Sequence, residues 1–325
     1  MRWLITGSGG QLGRCLAASV EARDGESLAG ALDHSEFDIG RPGALAELLA
    51  DGRVGRPDIL VNAAAFTAVD RCETEQDLAW RINAEAPGWL AEDCRSAGLG
   101  CIHVSTDYVF DGAASEPYSE NASVAPRTAY GRSKAEGERR VLDALAEAMV
   151  VRTSWLFGPG KNFVGAIIRQ ARRRASGLEE GPLRVVADQC GSPTYAADLA
   201  EGILDLGLLG FQGVSADGHK DGGDRSALAG RGTKSGMRGI FHLANSGMTT
   251  WFEFARAILE QIGQADLGLE PLKTSDLGLP AERPAWSVLG CTRAGELDVA
   301  LRPWREALSG YLNSAAGIAL QEEQA

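Results

Sequence analysis

Residues 2–13 read RWLITGSGGQLG, a short apolar run that stops at a cluster of glycines. Apolar or small residues then recur at helical spacing at Leu12, Cys15, Leu16 and Ala18. This order predicts a strand, a tight turn and a helix.

Three glycines of this stretch, Gly7, Gly10 and Gly13, have the spacing of turns that bind the pyrophosphate of a dinucleotide. Such a turn needs a residue free to take positive φ, a backbone that the phosphates can approach, and a small residue where helix packs on strand. The N–H groups that begin the helix then bind the phosphates. The stretch therefore predicts dinucleotide binding, and a purely structural turn is the alternative.

The same pattern of an apolar run with a small or polar end recurs at residues 58–63 and 100–105, with a helical stretch at residues 78–97 between them. Buried strands that alternate with helices predict an α/β fold with a doubly wound parallel sheet of the Rossmann type. Ligands bind beyond the carboxyl ends of such strands. The segments expected to meet there are Gly7, residues 62–65 and residues 105–107.

The composition changes after Arg152, where proline and glycine become more frequent. We therefore expect a dinucleotide-binding domain over residues 1–152, to which the chain returns around 194–245, and a smaller C-terminal α/β substrate-binding region over 153–325. Residues 213–238 are rich in Gly, Ser and charged residues, and we expect them to form a mobile surface insertion because so few apolar side chains cannot offset the entropy of ordering.

An acidic residue, Asp33, follows the second predicted strand about 20 residues after the glycines, where a carboxylate can bind the hydroxyls of the adenosine ribose. This favours NAD over NADP, although Arg14 and Arg41 are near enough in sequence to reach a 2′-phosphate. Asp38 and Ile39 follow another short run and are candidates for holding the adenine. The alternative for Asp38 is a helix N-cap.

Tyr130 and Lys134 lie four residues apart in a predicted helix, so both side chains point from one face. Reduction of a carbonyl needs a proton donor at the oxygen while hydride arrives at the carbon, and a nearby cation makes a phenol a better donor. The pair predicts proton donation by Tyr130 with Lys134 as its partner. A surface pair is the alternative.

A hydroxyl group at the end of the intervening strand completes this site. Thr106 is favoured over Ser105 as the group that hydrogen-bonds the same carbonyl oxygen, and the alternative role for the hydroxyl is to cap a turn.

The formal net charge of the 325 residues is −12, which disfavours binding to nucleic acid. No window is long and apolar enough to span a bilayer. The six cysteines are scattered, so we expect neither structural zinc nor disulfides, and a cytoplasmic location. The basic run at residues 169–174 is interpreted as a solvated helix face, with an anion site as the alternative.

Together these motifs resemble the dTDP-4-dehydrorhamnose reductase family of extended short-chain dehydrogenases. The resemblance runs in family order from about residue 4 to 290. The segments that carry it are GQLG at 10–13, NAAAFTAVD at 62–70, STDYVFDG at 105–112, YGRSK at 130–134, RTSW at 152–155, NFV at 162–164, DQCGSPT at 188–194, GMTTW at 247–251 and Arg283-Pro284.

The resemblance implies transfer of hydride from NADH or NADPH to the C4 keto group of dTDP-4-dehydro-L-rhamnose. It implies that Tyr130 is the proton donor, Lys134 its partner and Thr106 the hydroxyl at the carbonyl. The sugar-binding residues it implies are Thr106, Asp107 and Trp155. The coenzyme-binding residues, with those expected from the glycine turn and the catalytic pair, are Gly7, Gly10, Gln11, Leu12, Gly13, Asp33, Asp38, Ile39, Ala65, Phe66, Thr67, Val104, Tyr130 and Lys134.

Two positions depart from the family pattern. Some members form a magnesium-bridged dimer through glutamates, and here the matching positions are Cys15 and Ala197, neither of which is a carboxylate. We therefore expect an enzyme that needs no metal and is a monomer. One alternative is a non-catalytic regulatory subunit like the β subunit of methionine adenosyltransferase, and another is a nucleotide-sugar epimerase or related reductase.

Overall fold

The computed structural model describes residues 1–211 and 237–322. Its strands, in chain order, are β1 (Arg2–Thr6), β2 (Ser27–Leu32), β3 (Ile59–Asn62), β4 (Gly100–Thr106), β5 (Met149–Thr153), β6 (Leu156–Phe157), β7 (Leu183–Val186), β8 (Cys190–Gly191), β9 (Thr194–Tyr195), β10 (Gly239–His242), β11 (Thr249–Thr250) and β12 (Leu269–Leu272). Its α-helices are α1 (Gln11–Ala22), α2 (Ala44–Asp51), α3 (Val69–Thr74), α4 (Gln76–Trp80), α5 (Ala86–Ala97), α6 (Ala129–Ala144), α7 (Phe163–Ala175), α8 (Ala196–Phe211), α9 (Trp251–Gln261), α10 (Thr292–Gly295), α11 (Trp304–Leu312) and α12 (Ala315–Glu322).

Six strands form one sheet in the order β10-β5-β4-β3-β1-β2, and all of its pairings are parallel. The predicted α/β fold with a doubly wound parallel sheet is confirmed. The strand order reverses between β1 and β3, and the crevice beyond their carboxyl ends is the usual ligand site of such folds.

The central strands are apolar on both faces because both faces are covered by helices. Trp3 and Ile5 of β1 pack into one core layer with α1 and α8, while Leu4 between them packs into the opposite layer with α2 and α5. All three side chains have 0 % exposure. This is why the run that opens the chain shows no alternation of apolar and polar residues.

The chain leaves the sheet after β5 and later returns to it. Helix α8 packs on α1, and β10 pairs with β5. A separate apolar core joins α7, α9, α11 and α12 with strands β6, β7 and β9. Residues from 153 onward thus contribute to both cores.

The predicted mobile insertion, residues 213–238, lies outside the described residues apart from its last two. Met237 is 3 % exposed and packs in the core beneath the sheet, and the Arg238 carbonyl accepts a hydrogen bond from Arg293. The predicted end of the insertion was therefore wrong, because the chain is already part of the core at Met237.

The arginines at the end of α7 are engaged by the protein itself. Arg173 and Arg174 pair with Glu179, and Arg174 also donates to the carbonyls of Gly181 and Pro182. The side chain of Arg174 is only 9 % exposed, so the interpretation of this run as a solvated face was wrong there. None of the described helices has the length and hydropathy needed to cross a membrane.

Candidate active site

The turn between β1 and α1 is built on glycines that leave no room for a side chain. Gly7 has a φ of +77°, and a Cβ there would lie 2.7 Å from the backbone nitrogen of Ala64, just past the end of β3. A Cβ on Gly13 would lie 2.1 Å from the carbonyl oxygen of Gly7. Gly10 begins α1 without a side-chain cap, so the first N–H groups of the helix remain available to an anion.

The residues around this turn suit a dinucleotide. Gln11 Nε2, on α1, donates a hydrogen bond to the carbonyl of Lys161 at 3.1 Å. The other amide atom, Oε1, is buried and has no hydrogen-bond partner among the described residues. Leu12 is 5 % exposed and packs into the core under the turn. The N–H groups of the turn would face the pyrophosphate of such a ligand, whereas Gln11 Oε1 can only accept and would take a donor such as a ribose hydroxyl.

Gly13→Ala will displace the turn, because the new methyl group would overlap the Gly7 carbonyl and either α1 or β1 must shift. We expect a loss of about 1–3 kcal/mol in the free energy of unfolding and weaker coenzyme binding, measured by denaturant titration and calorimetry. Gly9→Ala is the matched control for stability, since its Cβ would lie 3.4 Å from the nearest atom, in ordinary contact. Equal losses for both variants would contradict the role of Gly13.

Asp33 follows β2 and lies beside the glycine turn, since a Cβ on Gly9 would be 3.4 Å from the Asp33 Cβ. Its carboxylate accepts hydrogen bonds from the Ser35 hydroxyl and backbone N–H, which hold the pKa of Asp33 below its ordinary value. The group is therefore anionic at neutral pH where an adenosine ribose would lie.

Asp38 accepts a hydrogen bond from the backbone N–H of Gly40, two residues ahead. Helix α2 begins later, after Gly43, so the alternative of an N-cap at Asp38 was wrong. Ile39 is 6 % exposed and packs into the core layer of α2 and α5. Contact of either residue with adenine stays a prediction.

The loop after β3, which carries Ala65, Phe66 and Thr67, is held by one asparagine that the sequence did not single out. Asn83 receives the N–H of Phe66 at 2.8 Å and donates to its carbonyl at 2.9 Å. Asn83 lies in a π-helical turn, Arg81–Glu85, between α4 and α5. The signal in the sequence was a polar residue within an otherwise helical stretch. Such a residue can mark a π-helical turn, and π-helical turns are frequent at functional sites.

Helix α6 brings Tyr130 and Lys134 to the carboxyl end of β4. The Thr128 hydroxyl caps the helix by accepting from the N–H of Gly131, and a Cβ on Gly131 would lie 2.2 Å from the carbonyl oxygen of Tyr108. This close approach of helix and loop buries both side chains, which are 8 % exposed for Tyr130 and 1 % for Lys134. The alternative of a surface pair is excluded.

The environment of the pair sets its protonation. Burial raises the pKa of Tyr130, so the phenol carries its proton at neutral pH. Burial lowers the pKa of Lys134 to about 8. Lys134 Nζ donates to the carbonyl of Val104 at 2.7 Å and lies 3.2 Å from Nε2 of His103.

Thr106 ends β4 and combines the two roles considered for it. Its hydroxyl caps the following 3₁₀ turn by accepting from the N–H of Tyr108, donates to Asp107 at 2.9 Å, and faces Tyr130. Burial raises the pKa of Asp107 to about 6, and the hydrogen bond from the Thr106 hydroxyl opposes the rise. A hydroxyl, a phenol and a carboxyl group therefore meet at one place.

Trp155 lies beyond β5 in a left-handed conformation, with a φ of +45°. Its indole stacks on that of Trp251 with ring centroids 3.6 Å apart and planes 7° from parallel. Gly191 lies directly behind the indole, because a Cβ there would be 2.4 Å from Trp155 Cε2. Flat aromatic surface of this kind packs well against the apolar face of a deoxysugar. Trp251 and Gly191 lie in the GMTTW and DQCGSPT segments, but the sequence alone assigned neither residue a role.

The positions that matched metal-binding glutamates are apolar in this chain. Cys15 is 8 % exposed, and burial raises the pKa of its thiol to about 11. Ala197 packs against the same core cluster between α1 and α8.

Known proteins resemble this chain over most of its length. A family model described as the RmlD substrate binding domain matches residues 1–210 and 225–316. A probable dTDP-4,6-dihydroxy-2-methyloxan-3-one 4-ketoreductase of Streptomyces antibioticus is 42 % identical over 95 % of this chain and 93 % of its own length. A dTDP-4-dehydrorhamnose reductase of Mycobacterium tuberculosis is 39 % identical over 97 % of this chain and 93 % of its own length.

Two solved structures that resemble this chain carry the same enzyme name as the relative from Mycobacterium tuberculosis. A dTDP-4-dehydrorhamnose reductase of Clostridium acetobutylicum superposes with a TM-score of 0.80 at 33 % identity, covering 96 % of this chain and 99 % of that one. The enzyme of the same name from Bacillus anthracis, in complex with NADP, gives a TM-score of 0.78 at 32 % identity and covers 96 % and 98 % of the two chains.

Proposed function

Because the chain belongs to the RmlD substrate binding domain family, we propose that it reduces the C4 keto group of dTDP-4-dehydro-L-rhamnose to dTDP-L-rhamnose. It is a nicotinamide-dependent reductase. The observation that carries the proposal is the burial of Tyr130, Thr106 and Lys134 at the carboxyl end of β4. The glycine turn follows β1, two places away in the same parallel sheet.

The glycine turn and Asp33 would hold NADH or NADPH, which would supply the hydride when bound. Tyr130 gives its phenolic proton to the ketone oxygen as the hydride reaches C4, which leaves a secondary alcohol and a phenolate. Thr106 hydrogen-bonds the same oxygen, and Lys134 stabilises the phenolate from one helical turn away. Asp107 accepts a sugar hydroxyl, and the Trp155–Trp251 stack lies against the apolar side of the pyranose.

Purified protein should oxidise NADPH or NADH when dTDP-4-dehydro-L-rhamnose is added, and the loss of absorbance of the reduced nicotinamide measures the rate. Mass spectrometry should find a product two mass units heavier than the substrate. No oxidation with either coenzyme would contradict the proposal. Buried Tyr130 and Lys134 also disfavour the non-catalytic regulatory subunit, which needs no proton donor.

A second candidate substrate is favoured by the relative from Streptomyces antibioticus, whose name describes 4-keto reduction of another dTDP-linked 6-deoxysugar. The catalytic step at C4 is the same for both sugars. The ratio of kcat/KM for the two substrates decides between them.

Asp33 should make NADH the preferred coenzyme, because a carboxylate binds the ribose hydroxyls and repels a 2′-phosphate. We expect Asp33→Ser to improve kcat/KM for NADPH relative to NADH by about fivefold to tenfold. Asp51→Asn, at an exposed carboxylate beside Arg53, is the matched control. An unchanged ratio in Asp33→Ser would show that another group selects the coenzyme.

We further propose a monomer that needs no metal. Support comes from Cys15 and Ala197, which lie in an apolar layer and offer no carboxylate. We expect light scattering after gel filtration to give 34.3 kDa, the mass of one chain, and EDTA to leave turnover unchanged. A dimer that separates on chelation would contradict this.

We also propose that residues 1–152, with the return around 194–245, bind the coenzyme and that residues 153–325 bind the nucleotide sugar. The sugar-facing Trp155 and Trp251 both lie in the second group. A cytoplasmic location is proposed because NAD(P)H is found there and because the free cysteines suit a reducing compartment.

A further inference from the structure

A buried chain of polar side chains runs beneath the candidate site, from β1 through β3 and β4 to α6. The Thr6 hydroxyl lies 2.8 Å from Asn62 Oδ1, Asn62 Nδ2 lies 3.1 Å from His103 Nδ1, and His103 Nε2 lies 3.2 Å from Lys134 Nζ. All four residues are 1 % exposed. Of these four residues, the proposed catalytic mechanism uses only Lys134.

The backbone determines which way the protons point. The N–H of Ala64 can only donate, and it points at Asn62 Oδ1 at a distance of 3.2 Å, so this end of the amide is the oxygen. The Asn62 NH₂ group must then face His103 and donate to Nδ1. A neutral imidazole has one N–H, so the proton of His103 lies on Nε2 and points at Lys134.

His103 stays neutral in this place. Burial holds the pKa of His103 well below its ordinary value, and the charge of Lys134 acts in the same direction. With Nδ1 occupied as an acceptor, the ring has no other tautomer that keeps the hydrogen bond from Asn62.

The orientation of the His103 N–H affects the protonation of Lys134. An ammonium group has no lone pair, so its protons would face the N–H of His103 at 3.2 Å, whereas an uncharged amine can accept that N–H and still donate to the Val104 carbonyl at 2.7 Å. We propose that His103, fixed by Asn62, is a positioning residue that acts through Lys134 by presenting a proton to it and favouring the uncharged amine.

The other ionisable groups packed around Lys134 act on it differently. Glu138, one turn along α6, favours the ammonium, but both of its oxygens are engaged by Arg152 of β5 at 2.6 and 2.9 Å. Tyr130 precedes it on the same helix, and Asp107 follows β4. Among the described residues in hydrogen-bond contact with Nζ, His103 is the one that presents a proton to it, and this contact adds to burial in opposing the charged form.

This inference deepens the proposed function, and its importance for turnover rests on that function. A lysine that is easily deprotonated can pass a proton on to the Tyr130 phenolate after each reduction. The test itself is made on protein without coenzyme or substrate, so it can succeed or fail independently of the reductase assay.

The pKa of Lys134 can be measured directly by NMR of protein labelled with [¹³Cε]lysine, because the chain contains only five lysines. Lys134→Arg identifies the signal. We expect a midpoint near 8 in the wild type, against about 10.4 for an exposed lysine. In His103→Gln the amide oxygen can accept from the ammonium, and we expect the midpoint to rise by about one unit, a tenfold change in the ionisation constant.

His242→Gln is the matched control, since His242 is a buried histidine that contacts Arg152 and the Gly290 carbonyl rather than Lys134. It should leave the Lys134 midpoint unchanged. The pH profile of kcat/KM in His103→Gln should move in the same direction as the NMR midpoint. An unaltered Lys134 midpoint in folded His103→Gln would overturn the proposal.

A measurement on the wild type covers the case in which His103→Gln does not fold. The ¹⁵N shifts of the imidazole nitrogens distinguish the two tautomers, and the chain has four histidines. We expect His103 to be neutral with its proton on Nε2 from pH 6 to 8. A proton on Nδ1 would overturn the proposal.

Discussion

Replacement of Tyr130 by phenylalanine should lower kcat by about 10²- to 10⁴-fold, the contribution of a positioned general acid. The ring would keep its place in the core beside Cys72 and Ala129, so the fold should survive. Only the proton at the ketone oxygen is lost. Single-turnover kinetics with saturating coenzyme measure this step, and calorimetry should find coenzyme bound nearly as tightly as in the wild type.

Tyr118→Phe is the control for the loss of a tyrosine hydroxyl elsewhere in the chain. Tyr118 donates to Asp111 and stacks on Phe110, and its variant should keep kcat within a few fold of the wild type. Turnover of Tyr130→Phe equal to that of Tyr118→Phe would mean that another group protonates the ketone.

Glu138→Gln should cause the largest loss of stability that we predict. Glu138 and Arg152 form a bidentate ion pair in which the two side chains are 4 % and 2 % exposed. Removing the carboxylate leaves the guanidinium charged, buried and next to His242, a situation that costs about 3–5 kcal/mol. Denaturant titration at pH 7 measures the free energy of unfolding.

The matched control is Asp143→Asn on the same helix. Asp143 pairs with Arg139, but the two side chains are 63 % and 59 % exposed, so solvent screens the pair. We expect a change below about 0.5 kcal/mol. Similar losses in the two variants would show that the buried pair contributes no more than an exposed one.

The first half of the fold was predictable because local sequence determines it. The runs at residues 2–6, 58–63 and 100–105 are mostly apolar segments that end in small or polar residues, and the structure has β1, β3 and β4 there. Tyr130 and Lys134 were predictable as a pair for the same reason, since spacing along one helix decides whether two side chains share a face.

The contacts that complete the site are not local. Asn83 holds Phe66 from 17 residues away, and His103 meets Lys134 across 31 residues. No periodicity in the sequence brings such pairs together. Gly137 could have indicated the contact with Asn83. A glycine inside a helix is unfavourable unless another segment approaches closely. Here a Cβ on Gly137 would lie 2.1 Å from the Asn83 carbonyl oxygen.

The return of the chain to its sheet restricts how this protein can be divided. A fragment that stopped after Thr153 would lack β10 and would leave β5 as a bare edge, with Val151 exposed to other chains. It would also lack α8, whose Gly207 admits the indole of Trp3. The nucleotide-binding half is therefore not expected to fold as a separate fragment. Sugar specificity should be exchanged between relatives by grafting loops rather than by joining the two halves of different proteins at a single position.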